Sequence, residues 1–351
     1  MPVKVAVNGY GTIGKRLADA IAKLPDFKLI GVAKYNADYS ALLIVKRGID
    51  IYVPKEKHRE FRDIGVEPAG SIEDMVEAAE LVYDASPAKQ GLRNKELYTK
   101  YRKPAVFQGG EPPEVAELSY STLCNYDKAL GRTYVRVVSC NTTGLLRVIC
   151  SIGIDSVDSV FGVIVRRASD PKEDLRGPVN SVLLESPFLP SHHSKDVASV
   201  IGDKPPIITV SLVVPSTIMH VQVLNIRLKK RINVENLIEL LDRSGRLVPL
   251  SSKQLKIDST GKLVELSRDL GRPRYDIYEN ILFSDSLYVN NDGVVMIQAV
   301  HQEAIVIPEN LDVAYAIMNL ETDVQRVVEN VNKALGIGSL QAIISGNTIR
   351  S

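Results

Sequence analysis

The beginning of the chain contains the strongest constraint on its fold. The apolar run VKVAV (Val3 to Val7) predicts a buried strand and leads directly into NGYGTIG, where Gly9, Gly11 and Gly14 complete the pattern G-x-G-x-x-G. Apolar residues at helical spacing follow, and KLIGVA then predicts a second strand. A strand, a glycine-rich turn, a helix and a second strand within about 30 residues form the unit that binds dinucleotides. We therefore expect an N-terminal Rossmann domain that binds NAD(P).

The glycine positions indicate how a pyrophosphate would bind. Gly9 permits the tight turn, Gly11 lets the backbone approach the ligand, and Gly14 lets the helix pack closely on the strand. Thr12 and Ile13 open the helix, where unpaired N–H groups and the helix dipole favour an anion. A glycine turn without a ligand is the alternative, but the strands and the helix in this order favour cofactor binding at these five residues.

The end of the second strand bears on which dinucleotide binds. NAD-specific sites usually carry an acidic residue there, which accepts a hydrogen bond from the ribose 2′-hydroxyl. This chain has Lys34 at that place and no acidic residue until Asp38. An ammonium group suits the 2′-phosphate of NADP, whereas a solvated lysine at a strand end would have no such role. We expect use of NADP, with NAD also accepted.

Alternating helices and strands continue through the first 139 residues. The stretch from Ser71 to Glu80 predicts a helix, and LVYDAS, AVFQGGEPP and YVRVVS predict further strands of one doubly wound parallel sheet. The carboxyl ends of such strands line the cofactor crevice. Gly110, which follows one of these strands, is therefore assigned to cofactor binding.

The segment VVSCNTTG places a cysteine between a predicted strand and a predicted helix. Cys140 would stand at the helix N-terminus, where the dipole lowers the pKa of a thiol. A thiolate beside a nicotinamide is suited to covalent oxidation of an aldehyde. An isolated cysteine here would be read as a small buried core residue. Its polar neighbours Ser139, Asn141 and Thr142 favour the nucleophile reading and are assigned to substrate binding.

Composition excludes several other classes of protein. The 351 residues suffice for two domains, and 43 basic against 42 acidic residues leave a net charge of +1, so we expect neither nucleic acid nor a membrane as partner. The N-terminus lacks the apolar core of a signal peptide, which predicts a cytoplasmic protein. The three cysteines and five histidines show no metal-ligand spacing, so no metal site is expected.

Three motifs together resemble the glyceraldehyde-3-phosphate dehydrogenase family: NGYGTIGKR near the start, FQGGE before the last strand of the first half, and VSCNTTGL. MHVQV around His220 and IPEN near the C-terminus resemble the archaeal type of that family. The resemblance implies NAD(P)-dependent phosphorylating oxidation of glyceraldehyde 3-phosphate, with inorganic phosphate as second substrate, by a homotetramer.

The resemblance also implies a mechanism. The Cys140 thiolate attacks the aldehyde to give a thiohemiacetal, and His220 takes the proton as hydride leaves for the nicotinamide. Inorganic phosphate then attacks the thioester and yields 1,3-bisphosphoglycerate. A hydrogen-bonded strand histidine without a catalytic role is the alternative for His220.

Further site residues follow from the resemblance. Arg166 and Arg167 end the strand GVIVRR, and at least one is implied near the cofactor or a phosphate; we assign Arg166 to substrate and Arg167 to cofactor, although which one faces the site stays open. His192 and His193 lie in PSHHSKD, a donor-rich loop suited to a phosphate. Gln302 falls at the position where members of the family have a side chain that contacts the nicotinamide amide.

The resemblance and the element pattern define three regions. Residues 1–139 form the Rossmann domain, and residues 140–301 form an α+β catalytic domain with a mostly antiparallel sheet. Residues 302–351 form a helical C-terminal segment that returns to the Rossmann domain. The fold class is thus α/β with a second α+β domain.

Two alternative functions remain. One is an aspartate-semialdehyde dehydrogenase-like enzyme, which needs an arginine for a substrate carboxylate rather than a donor-rich phosphate loop. The other is a non-catalytic binding or redox-sensing protein that uses Cys140 as an oxidation switch.

The other two cysteines raise the question of a disulfide. Cys150 lies ten residues after Cys140 on one predicted helix, about 15 Å along its axis, which is too far for a disulfide. Cys124 lies in the segment before the strand that feeds this helix. The archaeal resemblance admits a Cys124–Cys150 disulfide with Cys140 free, and two reduced buried thiols are the alternative.

Overall fold

The computed structural model of the protein describes residues 1–170 and 177–344. These residues form two compact units. The first unit comprises Met1–Thr122, Tyr126–Val138 and Glu309–Val327. The second comprises Leu123–Asn125 and the described residues within 139–308 and 328–344.

The first unit is built on a parallel sheet of eight strands in the order β4-β3-β2-β1-β5-β6-β8-β7. The order reverses between β1 and β5, which is the switch point where doubly wound sheets bind dinucleotides. This confirms the predicted Rossmann-like sheet. The strands are β1 (Val3–Asn8), β2 (Phe27–Ala33), β3 (Ile51–Val53), β4 (Gly70–Ser71), β5 (Leu81–Asp84), β6 (Ala105–Phe107), β7 (Leu118–Tyr120) and β8 (Tyr134–Val137).

Helices connect these strands, and their starts are encoded locally. Ser71 and Asp74 form a capping box at the helix predicted from Ser71, which satisfies N–H groups of its first turn. Buried Met75, Val82 and Phe107 belong to the apolar core that the helices share with the sheet. The helices are α1 (Thr12–Ile21), α2 (Tyr39–Lys46), α3 (His58–Asp63), α4 (Ile72–Ala78), α5 (Gly91–Lys100) and, at the boundary between the units, α6 (Thr122–Asn125).

The second unit contains a mixed sheet in the order β10-β11-β9-β12-β16-β14-β13, with β15 paired to β16. The pairs β9–β11 and β13–β14 are parallel and the others are antiparallel, so the predicted mostly antiparallel sheet is confirmed. The strands are β9 (Val157–Arg167), β10 (Leu183–Leu184), β11 (Ile207–Val214), β12 (His220–Leu228), β13 (Leu247–Leu250), β14 (Asn280–Phe283), β15 (Tyr288–Val289) and β16 (Gly293–Val300).

Helix α7 (Cys140–Ile152) packs against this sheet. A Cβ atom at Gly144 would lie 2.8 Å from Val300 Cγ2, so only glycine allows this approach. The later helices are α8 (His192–Ile201), α9 (Val234–Asp242), α10 (Ser252–Leu255), α11 (Thr260–Asp269), α12 (Val306–Ile317), α13 (Val324–Leu335) and α14 (Ser339–Ile344). Single-turn 3-10 helices lie at Lys55–Lys57, Pro113–Val115, Tyr126–Ala129, Ile154–Ser156, Pro273–Tyr275 and Ser284–Ser286. Within the described ranges, no helix is both long enough and apolar enough to cross a membrane.

The C-terminal segment is divided between the two units. The sequence predicts that the helical segment 302–351 returns to the Rossmann domain, and of its described residues Glu309–Val327 groups with the first unit. There the Tyr83 hydroxyl donates to the carbonyl of Asn310 at 2.8 Å. The residues from 328 to 344 belong to the second unit, where Arg246 Nε donates to Asn332 Oδ1 at 3.0 Å. The remaining part of the predicted segment, 345–351, lies outside the described residues.

Cys124 and Cys150 form a disulfide in the second unit. Their Cα atoms lie 5.4 Å apart, within the range that a disulfide requires. Cys140 is a free cysteine. The disulfide considered from the sequence is therefore confirmed, and Cys140 keeps its thiol.

The disulfide predicts a thiol count and a stability effect. The unfolded, unreduced protein should titrate with one thiol, and a count of three would exclude the crosslink. Replacing Cys124 and Cys150 together by alanine should lower the free energy of unfolding by about 3.5 kcal/mol, because the crosslink closes a loop of 26 residues in the unfolded chain. Denaturant titrations of both proteins measure this difference, and reduced wild-type protein is the control.

Candidate active site

The glycine-rich turn between β1 and α1 has the geometry that the sequence predicts. Gly9 has a positive φ of 110°, and a Cβ atom there would lie 2.6 Å from the carbonyl oxygen of Ala85. A Cβ atom at Gly14 would lie 1.8 Å from the carbonyl oxygen of Gly9. Both glycines are therefore required by the close packing of the turn itself.

Gly11 differs, because no protein atom lies within 4 Å of the place where its Cβ would be. Gly11 is the N-cap of α1 and supplies no side-chain cap, and the first turn, which begins at Thr12 and Ile13, carries no acidic residue. Space above the turn and backbone N–H groups without a side-chain cap suit a pyrophosphate. The residues present thus fit the dinucleotide that the sequence predicts.

A cavity of about 680 Å³ lies in the same unit. Its lining includes residues from the segments that follow β2, β3 and β5. Apolar, basic and acidic side chains line it, among them Tyr35, Leu97, Lys57, Arg93, Glu56 and Glu73. A mixed lining of this kind suits a nucleoside.

A buried hydrogen-bond network adjoins this cavity, and sequence reasoning missed it. The Tyr35 hydroxyl donates to Asn8 Oδ1 at 2.9 Å, and Asn8 Nδ2 donates to the Tyr98 hydroxyl at 2.7 Å. The Tyr98 hydroxyl donates to Asp84 Oδ2 at 2.8 Å. Burial, followed by the charge of Asp84, raises the pKa of Tyr35 to about 12, so its hydroxyl stays protonated. The position of Asp84 at the end of a predicted strand was the feature of the sequence that could have indicated this network.

Two other predicted cofactor residues lie in the first unit. Lys34 follows β2, and its Nζ lies 2.7 Å from Asp38 Oδ2. Gly110 lies in the turn after β6, where a Cβ atom would lie 3.1 Å from Ala88 Cβ.

In the second unit, Cys140 is the first residue of α7 and Ser139 is its N-cap. Ser139 Oγ and Thr142 Oγ1 lie 2.8 Å apart, so these two hydroxyls share a hydrogen bond. Burial raises the pKa of the Cys140 thiol to about 11, although Arg166, Arg167 and the backbone N–H of Asn141 act to lower it. The expected low pKa is therefore wrong for the free protein, because desolvation outweighs the helix N-terminus.

Buried amides hold the start of α7 on the sheet. Gln222 Nε2 of β12 donates to the carbonyl of Asn141 at 2.9 Å and to Asn141 Oδ1 at 3.1 Å. Gln298 Nε2 of β16 donates to Gln222 Oε1 at 2.8 Å, and Asn280 Nδ2 of β14 donates to Gln298 Oε1 at 2.8 Å. Sequence reasoning missed Gln222, Gln298 and Asn280, which are far apart in the chain.

His220 begins β12, on the same strand face as Gln222. Its Nδ1 accepts a hydrogen bond from the backbone N–H of Arg167 at 3.0 Å. Its Nε2 is buried and makes no hydrogen bond of normal geometry among the described residues, although the Gln302 side chain is close enough to act to raise the pKa of the ring. Burial, followed by the charges of Arg166 and Arg167, holds the pKa of His220 well below 6.5. Because a backbone N–H can only donate, the neutral ring carries its proton on Nε2.

Arg167 connects several predicted residues. Its buried guanidinium donates to Gln302 Oε1 and to the carbonyl of Thr217 at 3.1 Å, and it forms an ion pair with Glu303 at 2.9 Å. The two residues predicted to contact the cofactor from this unit, Arg167 and Gln302, are thus in direct contact. Arg167 and His220 are joined through the backbone of Arg167.

Arg166 points to a different group of residues. It forms an ion pair with Glu185, whose other carboxylate oxygen lies 3.8 Å from His192 Nδ1. His193 is buried, with Nδ1 3.2 Å from Ser211 Oγ. Burial, followed by the charge of His192, lowers the pKa of His193 to about 2. The charges of both Arg166 and Arg167 act to lower the pKa of the Cys140 thiol.

The setting of the two histidines differs from the expectation. They do not lie in a loop: His192 is the first residue of α8, and Ser191 is its N-cap. The apolar residues of VASVI continue this helix, which PSHHSKD alone did not reveal. One ligand atom each of Glu185, His192 and His193 lies within 4.8 Å of the others, a spacing compatible with a metal ion, but the Arg166 charge on the same carboxylate opposes a cation there.

Comparison with known proteins identifies the family. The sequence profile described as "Glyceraldehyde 3-phosphate dehydrogenase, C-terminal domain" matches residues 139–260. A glyceraldehyde-3-phosphate dehydrogenase of Saccharolobus solfataricus is 47% identical over 338 residues, which cover 95% of this chain and 98% of that protein.

Two further relatives carry the same name. One from Sulfolobus acidocaldarius is 44% identical over 337 residues, covering 96% of this chain and 98% of its own, and one from Saccharolobus islandicus is 46% identical over 336 residues, covering 95% and 98%. The archaeal source of these relatives confirms the resemblance found in the motifs. Sequence motifs, fold and relatives agree that this chain belongs to the glyceraldehyde-3-phosphate dehydrogenase family.

Proposed function

We propose that the chain oxidises the aldehyde of glyceraldehyde 3-phosphate, with a nicotinamide cofactor and inorganic phosphate, to 1,3-bisphosphoglycerate. The observation that carries this proposal is the environment of Cys140. A free thiol begins α7, two arginine charges act on it, and α7 is fixed by buried amides to the strand that begins at His220.

Cys140 acts as the nucleophile. In the free protein its thiol is protonated at neutral pH, because burial raises its pKa to about 11. Arg166 and Arg167 favour the thiolate and so assist release of the thiol proton to water when sulfur adds to the carbonyl carbon. Addition forms the S–C bond of a thiohemiacetal and places negative charge on the former carbonyl oxygen.

His220 acts on that oxygen as a hydrogen-bond donor. Nδ1 is occupied by the Arg167 N–H, so the proton of the neutral ring lies on Nε2, which makes no hydrogen bond of normal geometry among the described residues. An Nε2–H group is suited to stabilise the developing alkoxide. The base role implied by the resemblance would require a proton on Nδ1 and loss of the bond from Arg167.

The residues assigned to the cofactor would contact different parts of it. Gly9, Gly11, Thr12, Ile13 and Gly14 would hold the pyrophosphate, and Gly110 would line the same crevice. Lys34 would contact a 2′-phosphate, which supports use of NADP together with NAD. Arg167 and Gln302 would contact the nicotinamide end. When bound, the nicotinamide supplies the hydride acceptor that allows the Cys140 adduct to become a thioester.

The polar residues around Arg166 would bind the phosphate groups. Arg166, His192 and His193 offer one permanent charge and two imidazoles, and both imidazoles have lowered pKa values because of burial. Glu185 pairs with Arg166 in this structure, so a phosphate would have to displace that carboxylate. Ser139, Asn141 and Thr142 would contact the substrate near the thiol.

The second unit also supports assembly into a homotetramer. Phe161 of β9 and Ile208 of β11 are neighbours in the sheet, and both side chains are nearly half exposed. An apolar sheet face of this kind is typical of a contact with a second copy of the chain.

The nucleophile is tested by Cys140→Ser. Cofactor binding should be retained and kcat should fall by roughly three orders of magnitude or more, because serine does not ionise readily at this position. The assay is cofactor reduction with glyceraldehyde 3-phosphate and phosphate, with aspartate semialdehyde as the comparison substrate. A variant that keeps more than about a tenth of wild-type kcat would exclude covalent catalysis. A wild-type protein that binds cofactor but oxidises neither aldehyde would contradict the proposed function.

The role of His220 is tested by two substitutions. His220→Gln keeps an amide donor and should retain at least about ten times the kcat of His220→Ala, since loss of one oxyanion donor costs about 100-fold or more. Equal losses in both variants would instead assign His220 as a base, which neither side chain can replace. Circular dichroism of both variants checks that the buried site still folds.

Assembly is tested by light scattering. The wild-type protein should have four times the mass of one chain, and Phe161→Asp or Ile208→Asp should produce smaller species, because a buried carboxylate at an apolar contact is unfavourable. Leu92→Asp introduces the same charge at an exposed leucine of the first unit and is the control. A monomeric wild-type protein would refute the assembly.

A further inference from the structure

The charge of Lys34 is balanced within the chain. Lys34 Nζ lies 2.7 Å from Asp38 Oδ2, and the Lys34 side chain is only 12% exposed. The other carboxylate oxygen, Asp38 Oδ1, accepts hydrogen bonds from the backbone N–H of Ser40 at 2.9 Å and from its hydroxyl at 2.6 Å. We propose that Asp38 sets the cofactor preference by competing with an adenosine 2′-phosphate for Lys34. This inference rests on the proposed use of NAD(P).

Asp38 is held where it can compete. It is the N-cap of α2, and its bonds to Ser40 fix the carboxylate at the start of that helix. Although burial acts to raise it, the pKa of Asp38 is lowered by hydrogen bonds from Lys34 and Ser40, so the group is ionised at neutral pH. The carboxylate is thus a permanent negative charge beside the ammonium.

The pair lies beside the nucleoside cavity. The Lys34 backbone N–H donates to the Tyr52 carbonyl at 2.9 Å, which fixes the segment that leaves β2. The next residue, Tyr35, lines the cavity of about 680 Å³. Lys57 Nζ, from the segment after β3, donates to the carbonyl of Tyr35 at 2.8 Å. The segment that leaves β2 therefore carries both the Lys34–Asp38 pair and a side chain that lines the cavity.

NADP and NAD would interact differently with Lys34 and Asp38. The 2′-phosphate of NADP carries a negative charge, so it would be attracted by Lys34 and repelled by Asp38. The 2′-hydroxyl of NAD is neutral and could donate a hydrogen bond to the Asp38 carboxylate. Asp38 therefore disfavours NADP relative to NAD, whereas Lys34 has the opposite effect, and the pair together permits both.

Removal of the carboxylate charge tests this inference. Asp38→Asn keeps an oxygen that can cap α2, and Asp38→Ser keeps a good N-cap if asparagine disturbs the helix. In calorimetric titrations, the Kd for NADPH should fall about 10-fold in the Asn variant, because Lys34 then meets the phosphate without a competing charge. The Kd for NADH should stay the same or rise.

Two further variants assign the effect to Lys34. Lys34→Met should weaken NADPH about 10-fold or more with little effect on NADH. In the Lys34→Met/Asp38→Asn double variant the gain for NADPH should disappear. Asp258→Asn is the matched control, since Asp258 pairs with Lys262 at 2.7 Å in the same i,i+4 arrangement within the second unit and should leave both Kd values unchanged.

Other outcomes separate this inference from the proposed function. An unchanged Kd for NADPH in both Asp38 variants would overturn the competition while leaving the enzyme intact. A gain that persists in the double variant would also overturn it and would assign the phosphate to another cation of the cavity, such as Lys57 or Arg93. Failure of the wild-type protein to bind either cofactor would overturn the proposed function itself.

Discussion

The docking of α7 on the second sheet is the constraint on which the candidate site depends. Asn280, Gln298 and Gln222 form a chain of buried amides that ends at the backbone and side chain of Asn141. Buried amides without partners cost free energy, so the network is satisfied in one arrangement of helix and strands. That arrangement fixes Cys140, the residue before Asn141, relative to the strand that begins at His220.

Arg167 influences three other residues of the candidate site, namely His220, Gln302 and Cys140. Its N–H determines which nitrogen of His220 carries the proton, and its guanidinium orients Gln302. Its charge also acts on the Cys140 thiol and on the pKa of His220. One residue thus couples the tautomer of the imidazole, the ionisation of the thiol and the position of an amide, which explains why a buried arginine is retained despite its desolvation cost.

A common feature of the residues proposed to bind anions is that internal carboxylates already balance their charges. Arg166 pairs with Glu185, and Lys34 pairs with Asp38. A phosphate at either place would exchange one anion for another, so its binding free energy would be the difference between the two interactions. Such an exchange would lower the affinity for phosphate and make it depend on the competing carboxylate. The carboxylate would thereby influence which ligand is preferred.

The sequence by itself determined the features that depend on neighbouring residues. The turn at Gly9 and Gly14, the start of α7 at Cys140 and the exclusion of a Cys140–Cys150 disulfide all follow from local spacing. The motifs also sufficed to predict the family. Only the tertiary structure decided that burial raises the thiol pKa and that His220 carries its proton on Nε2. It also decided that the C-terminal segment is shared between the two units. The physical reason is that desolvation and hydrogen bonding at these places arise from residues tens to more than a hundred positions apart, which no local pattern records.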